Sequence, residues 1–238
     1  MRGLSLIGMP RYAIGAVFRR YAVTWIYLAG FCAADIVSSL LPDRDQRAVL
    51  GWASTSVHSL EHHPVGCLVV SAFVPTGFVP TWPLLIALAL LGANHVLGNW
   101  RTFLTCAAGH VVGTLVSEGV VAYRITAGAL PAADRYLIDV GPSYVVVAAI
   151  AVGLVWGRGL VRAAAVLDFA LLIVVGKIFA GLTHLQLAAV GHLTALITGA
   201  AVGSLLIWQR QRKARALCGN ASASSVKIPG RRLLNSGR

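Results

Sequence analysis

The sequence predicts an all-α membrane protein built as a bundle of six transmembrane helices. Hydrophobic residues make up 57% of the 238 residues and charged residues only 12%, with a mean hydropathy of +0.76. Soluble domains are about one quarter charged, so this composition excludes an ordinary soluble fold. Long apolar runs recur along the chain, and most basic residues lie between or beyond them. Together these observations favour a multi-pass membrane protein.

Six apolar runs approach or reach the length needed to cross a hydrocarbon core about 30 Å thick. The predicted spans are residues 21–41, 82–97, 102–123, 140–156, 163–182 and 187–208. The membrane domain therefore covers residues 21–208, after a short basic segment at 1–20. The basic tail at 209–238 has a composition typical of disorder. Prolines and glycines interrupt residues 52–80, which predicts an outer loop or a segment in the plane of the membrane.

The formal net charge of +12 indicates contact with anionic lipid and not with nucleic acid, because the cations are concentrated in the tails and short loops. Six spans would place 15 of the 20 lysines and arginines on the side of both tails. Since cytoplasmic loops carry the excess of these residues, both termini are predicted to be cytoplasmic, in a plasma membrane. The four scattered cysteines offer no disulfide framework. No cofactor or metal ion is expected, and the composition is associated with a GC-rich bacterial source.

Ser143 and His192 lie near the starts of the fourth and sixth predicted spans. Both spans enter from the outer side, so a rise of about 1.5 Å per residue places the two side chains at similar depths. A hydroxyl nucleophile and an imidazole base on neighbouring helices are what a serine hydrolase needs. The alternative is that Ser143 is a helix-packing serine near the interface.

The third span carries a polar stripe, because His110, Thr114 and Glu118 are spaced i, i+4 and i+8 on one helix face. Such residues in a membrane helix face the bundle interior. The stripe is interpreted as a hydrogen-bonded feature that fixes the helix rotation, with Glu118 as an alternative partner for His192. Asp35 and Asp168 are further ionisable residues within spans.

Two shorter patterns lie outside the spans. His58-Ser-Leu-Glu-His62 fits the His-x-x-Glu-His pattern of inverted zinc peptidases, in which Glu61 would be the base. Pro64 ends that helix almost at once, so a headgroup-level loop is the preferred interpretation. Asp139 and Gly141 are predicted to cap the fourth helix, where an acidic residue is favoured by the dipole.

Three ordered motifs within residues 64–208 resemble those of the rhomboid family of intramembrane serine proteases. They are Leu91-Gly-Ala-Asn-His-Val-Leu-Gly98, Gly141-Pro-Ser-Tyr144 and Gly191-His-Leu-Thr-Ala-Leu-Ile-Thr-Gly199. The resemblance implies a rhomboid-like six-helix bundle. It also implies that Ser143 is the nucleophile and His192 the general base, in a dyad without a third acid. The substrate would be a membrane-associated polypeptide.

The sequence also departs from the family pattern. The His-x-x-x-Asn entry to the second span, which helps to hold the oxyanion, falls near Phe78 and Trp82, and Tyr144 replaces the small residue after the serine. The Trp-Arg pair of the first outer loop is missing. Candidate oxyanion or cavity residues are therefore Tyr144, Trp82, Glu118, Thr114 and His110.

Two alternative functions follow from these departures. The first is a catalytically inactive rhomboid-like protein that binds or escorts membrane partners. The second is a solute or proton pathway lined by Glu118, His110 and Asp35, which is weaker because no inverted repeat is apparent in the sequence.

Overall fold

A computed structural model describes residues 11–74 and 81–225, with side chains described for 15–74 and 81–217. Every regular element within these ranges is helical. The α-helices are α1 (Arg11–Arg20), α2 (Ala22–Leu40), α3 (Asp43–Ala53), α4 (Val57–His62), α5 (Pro64–Ser71), α6 (Trp82–Leu97), α7 (Asn99–Thr126), α8 (Ser143–Trp156), α9 (Leu160–Val174) and α10 (Leu187–Ser225). Short 3₁₀ turns cover Ala132–Tyr136 and Leu182–His184.

A helix occupies each of the six predicted spans, which confirms the all-α fold class. Within the described ranges, three helical stretches are long and apolar enough to cross a membrane by length and composition, namely Ala22–Leu40, Asn99–Thr126 and Leu187–Leu217. The helices Trp82–Leu97 and Ser143–Trp156 are apolar but shorter. The count of six membrane crossings therefore stays a prediction for the shorter helices.

Helix α8 forms the centre of the bundle. It is apolar on all sides, and a helix of that kind is buried in a large core or a membrane. Its residues from Tyr144 to Gly153 are all buried. Helices α6, α7, α9 and α10 all pack against it.

Small residues let α7 and α10 approach α8 closely. A Cβ atom added to Gly109 of α7 would overlap the side chain of Ala148, and one added to Gly199 of α10 would overlap the backbone of the same alanine. Close approach through glycine and alanine is how membrane helices gain packing contacts. Three helix backbones therefore meet around Ala148.

The predicted outer segment, residues 52–80, contains two short helices. Six residues in α4 and eight in α5 are far too few to cross a membrane. Pro64 is the first residue of α5, where its missing N–H costs nothing. Residues 75–80, which include Phe78, lie outside the described residues.

Two boundaries differ from the sequence-based expectation. The fifth span was expected to end at residue 182, but α9 ends at Val174. Lys177 then adopts a φ of +48°, which a right-handed helix cannot include.

The tail was expected to be disordered from residue 209, but α10 continues to Ser225. Alanine, arginine and lysine in this stretch have high helix propensity, which accounts for the extension. Residues 226–238 lie outside the described residues, as do 1–10 of the basic N-terminal segment.

Candidate functional site

The loop before α8 is fastened to the outer segment by backbone hydrogen bonds. The N–H and the hydroxyl of Thr55 both donate to the carbonyl oxygen of Asp139, each at 3.0 Å. The N–H of Gly141 donates to the carbonyl oxygen of Ser71 at 2.8 Å. Gly141 has a φ of +127°, which side-chain-bearing residues rarely adopt. These contacts fix the point at which α8 begins, and therefore the position of Ser143.

The expected caps of α8 are not formed. The N-cap residue is Pro142, and no side chain in the described part of the chain caps the helix by a hydrogen bond. The Asp139 side chain instead accepts a hydrogen bond from the Tyr144 hydroxyl, 3.0 Å from its Oδ2. The capping prediction for Asp139 and Gly141 was therefore wrong. The Asp139 carboxylate is bound by the Tyr144 side chain and not by the backbone N–H groups in the first turn of α8.

Ser143 is half-buried at the first position of α8, where it lines a narrow polar cleft. The cleft is too narrow to admit a water molecule, and its side-chain lining includes Thr55, Ser71, His110, Asp139, Ser143 and Tyr144. Of the residues predicted from sequence, the structure thus brings His110 and Tyr144 to Ser143. Ser71 and Thr55 were missed, because they lie in the broken stretch that carries no periodic signal.

His110 has a structural position in this cleft. Its Nε2 lies 2.9 Å from the carbonyl oxygen of Leu68 and 3.2 Å from the hydroxyl oxygen of Ser71. A carbonyl oxygen can only accept, so Nε2 carries the proton and cannot act as a base toward Ser71. His110 therefore ties α7 to α5.

The rest of the polar stripe on α7 is also buried. Thr114 is fully buried, and Glu118 is only 2% exposed. The side-chain oxygens of both have no hydrogen-bond partner among the described residues. Glu118 lines a hollow with Val57, Leu60 and Glu61 of the outer segment, so it faces α4. The alternative of a Glu118–His192 pair is therefore not formed in the described structure.

His192 is held in one tautomer. It is 6% exposed, and its Nδ1 lies 3.0 Å from the carbonyl oxygen of Ile178. Because a carbonyl can only accept, Nδ1 carries the proton and Nε2 keeps a free lone pair. That Nε2 atom is buried and has no partner among the described residues. The role of Ile178 could not be read from sequence, since any residue supplies a carbonyl.

Tyr144 packs against the helix that carries His192. Its ring meets the His192 imidazole edge-on, with centroids 5.1 Å apart. A Cβ atom at Gly191 would overlap the Tyr144 ring and hydroxyl, so only glycine leaves room for it. The hydroxyl is already donated to Asp139. Tyr144 is thus better placed to position His192 than to donate to an oxyanion.

The carboxyl group of Asp139, in the loop before α8, is shielded by its neighbours. Burial raises the pKa of Asp139 to about 6, and the hydrogen bond from Tyr144 offsets part of that rise. The group is still mostly ionised at neutral pH, so it accepts the tyrosine hydrogen bond as a carboxylate.

The predicted nucleophile and base are not hydrogen-bonded to each other. Within the described ranges no bond joins Ser143 to His192, although both residues adjoin Tyr144. Trp82 lines a separate hollow with Leu171 and Leu172 of α9, away from the cleft. The dyad and the oxyanion roles therefore stay predictions.

Three other groups lie apart from the cleft. Asp35 on α2 is half-buried. Asp168 on α9 is fully buried, and neither of its carboxylate oxygens has a partner among the described residues. On α4, ligand atoms of His58, Glu61 and His62 lie within 4.8 Å of one another, which makes them a candidate metal-binding group.

A family model described as rhomboid-like protein matches residues 16–212, well over half of the chain. The match includes all six predicted spans and both Ser143 and His192. No curated protein and no solved structure matches the chain.

Replacing Gly191 with alanine should displace the Tyr144 ring, because the new methyl group would overlap it. Overpacking of this kind costs about 1–3 kcal/mol, so the thermal unfolding midpoint of the purified protein in detergent should fall. Gly119→Ala is the matched control, since a Cβ there meets nothing within 4 Å. In a Tyr144→Ala background the Gly191→Ala change should cost much less. Equal losses in both backgrounds would show that the two residues are not in contact.

Proposed function

Because the chain belongs to the family of rhomboid-like proteins, we propose that it is an intramembrane serine peptidase that cleaves membrane-associated polypeptides with a Ser143–His192 dyad. Family membership establishes a rhomboid-like helical membrane protein, and that family also includes inactive members. The catalytic part of the proposal rests on the geometry around His192.

The observation that carries the proposal is the 3.0 Å contact between Nδ1 of His192 and the carbonyl oxygen of Ile178. The bond from Nδ1 to the Ile178 carbonyl leaves Nε2 as a lone pair that nothing else in the described structure occupies. A general base needs a fixed ring with a free lone pair. The absence of a direct Ser143–His192 bond in the described structure does not oppose this role, because catalytic hydrogen bonds are often loose in the free enzyme and tighten with substrate.

The proposed reaction uses both residues in turn. The Ser143 oxygen forms a bond to the scissile carbonyl carbon while His192 Nε2 takes the hydroxyl proton. The carbon–nitrogen bond then breaks, and His192 returns the proton to the leaving amine. Water hydrolyses the acyl-enzyme by the same steps. N–H groups in the first turn of α8, which lack helical partners, are the proposed oxyanion donors.

The departures of this sequence from the family pattern determine how fast the proposed peptidase should turn over its substrate. Neither Phe78 nor Trp82 supplies the side-chain donor pair of the family pattern, and each lost oxyanion donor costs about 10²–10³ in turnover. We therefore expect slow turnover, with a reactive serine that is easier to detect by covalent labelling than by substrate cleavage.

A second candidate is a non-catalytic rhomboid-like protein that binds or escorts membrane partners. The narrow cleft at Ser143 favours it, because a cleft that does not admit even a water molecule could receive a polypeptide only after rearrangement. In that case Ser143 is a packing residue at the start of α8.

The proposed location is a plasma membrane with both ends in the cytoplasm, where the basic tails contact anionic lipid. Its support is the distribution of charge, with 15 of the 20 lysines and arginines on the side of the tails in a six-span topology. Arg212 of α10 stacks its guanidinium 4.0 Å from the Trp208 ring centroid. Such an aromatic–cation pair is typical of a membrane interface.

The dyad is tested by labelling purified protein in detergent with a fluorophosphonate probe. Wild-type protein should be labelled, whereas Ser143→Ala should abolish labelling and His192→Ala should slow it at least about 10²-fold. Ser71→Ala is the matched control, because this serine lies in the same cleft beside a histidine but is predicted to be unreactive. If the folded wild type stays unlabelled, the partner-binding candidate replaces the peptidase.

The topology is tested separately with reporter fusions expressed in bacteria. Green fluorescent protein fused after Arg238 or Gly159 should fluoresce, whereas alkaline phosphatase should be active only when fused in the outer loop after Ala129. Phosphatase activity at the C-terminus would contradict the six-span arrangement.

A further inference from the structure

We propose that His58, Glu61 and His62 form a binding site for a divalent transition-metal ion, with Zn²⁺ as the expected ion. The site lies on α4 in the outer segment, outside the Ser143 cleft, and does not depend on the proposed peptidase activity. It also goes beyond the sequence-based expectation, in which no metal ion was included.

The spacing of the three residues brings their ligand atoms together. His58 and His62 are one helical turn apart, and their ring centroids lie 4.2 Å apart. One ligand atom from each of the three side chains lies within 4.8 Å of the others. Metal–ligand distances of about 2.0–2.2 Å require ligand atoms about 3.5 Å apart in a tetrahedral site. Binding therefore requires rotamer changes that bring these atoms closer together, and the Glu61 and His62 side chains are exposed to solvent and able to make them.

Two of the ligands have hydrogen-bond partners in the described structure. Nδ1 of His62 lies 2.8 Å from the carbonyl oxygen of His58, so this nitrogen carries the proton and Nε2 is left to bind the ion. Metal-binding histidines commonly donate their other N–H to such a carbonyl, which fixes the ring. Glu61 pairs through its Oε2 with Arg135, and its Oε1 has no such partner among the described residues.

The side chains at and around His58, Glu61 and His62 determine which metal ion the site suits and how tightly it should bind. His58 packs against the ring of Tyr136, with centroids 4.8 Å apart, while Glu61 and His62 are exposed. Two imidazoles and a carboxylate suit Zn²⁺, with water in the fourth position. The Arg135 cation competes with the ion for Glu61, so the affinity should be moderate.

A metal ion at this site is better suited to stabilise the outer segment, residues 52–80, than to hydrolyse peptides. In the zinc-peptidase interpretation Glu61 would be a free base, but here it is paired with Arg135 and clustered as a ligand. Helix α4 follows directly after Ser54 and Thr55, which bond to Leu137 and Asp139 of the loop before α8. An ion that stiffens α4 would therefore also stiffen this loop above the cleft.

The test uses full-length protein purified in detergent through a tag without histidine. Titration with Co²⁺ should give visible absorption of a nitrogen-ligated site, and calorimetry should give one Zn²⁺ per chain. His58→Ala and His62→Ala should each weaken binding at least about 10-fold. His184→Ala is the matched control, an exposed histidine on the predicted outer side, and should bind as the wild type does.

A second variant keeps the test informative if the histidine variants fail to fold. Arg135→Gln removes the competing cation, so it should bind Zn²⁺ more tightly, and Zn²⁺ should raise the thermal unfolding midpoint of both Arg135→Gln and the wild type. The proposal is overturned if the wild type binds no Zn²⁺, if His58→Ala and His62→Ala bind as tightly as the wild type, or if Arg135→Gln binds more weakly. None of these outcomes changes the labelling result expected for Ser143.

Discussion

The close contact of α7 and α10 with α8 at Ala148 is the constraint on which the rest of the structure depends. It requires glycine at positions 109 and 199, because a side chain at either would overlap the alanine. Lipid chains give apolar helices no hydrophobic reason to associate, so this contact supplies dispersion energy that looser packing would lose. It also sets the distance between the start of α8, where Ser143 lies, and the helix that carries His192.

The polar groups within this packed core account for the geometry of the candidate site. A buried imidazole must find partners for its N–H, and the loop after α9 provides the Ile178 carbonyl. The Tyr144 hydroxyl has the same requirement, which Asp139 meets. These two hydrogen bonds fix the position of the His192 ring relative to the Tyr144 ring. Among the described residues Nε2 of His192 is a buried nitrogen without a partner, as is Nδ1 of His110, and an unpaired buried acceptor is what a catalytic base presents.

Much of the helical fold could be predicted from sequence, because apolar run length is the main determinant of a membrane helix. The similar depths of Ser143 and His192 stay a prediction from the same reasoning. The end of α9 at Val174 could not be predicted, since the following residues are apolar and the turn depends on Lys177 adopting a positive φ. The Ser71 and Thr55 contacts were equally hidden, because they join segments more than 65 residues apart through backbone atoms. The helical extension to Ser225 could not be predicted from charge, because the arginines and lysine that make the tail basic also have high helix propensity.

The most direct test of this account is the tautomer of His192, measured by ¹⁵N NMR on protein labelled at its seven histidines. A His192→Gln variant would assign the signal. The account predicts a neutral ring with the proton on Nδ1 and an unprotonated Nε2. A proton on Nε2 with a bare Nδ1 would contradict it, because His192 would then lack both its bond to Ile178 and the lone pair needed to act on Ser143.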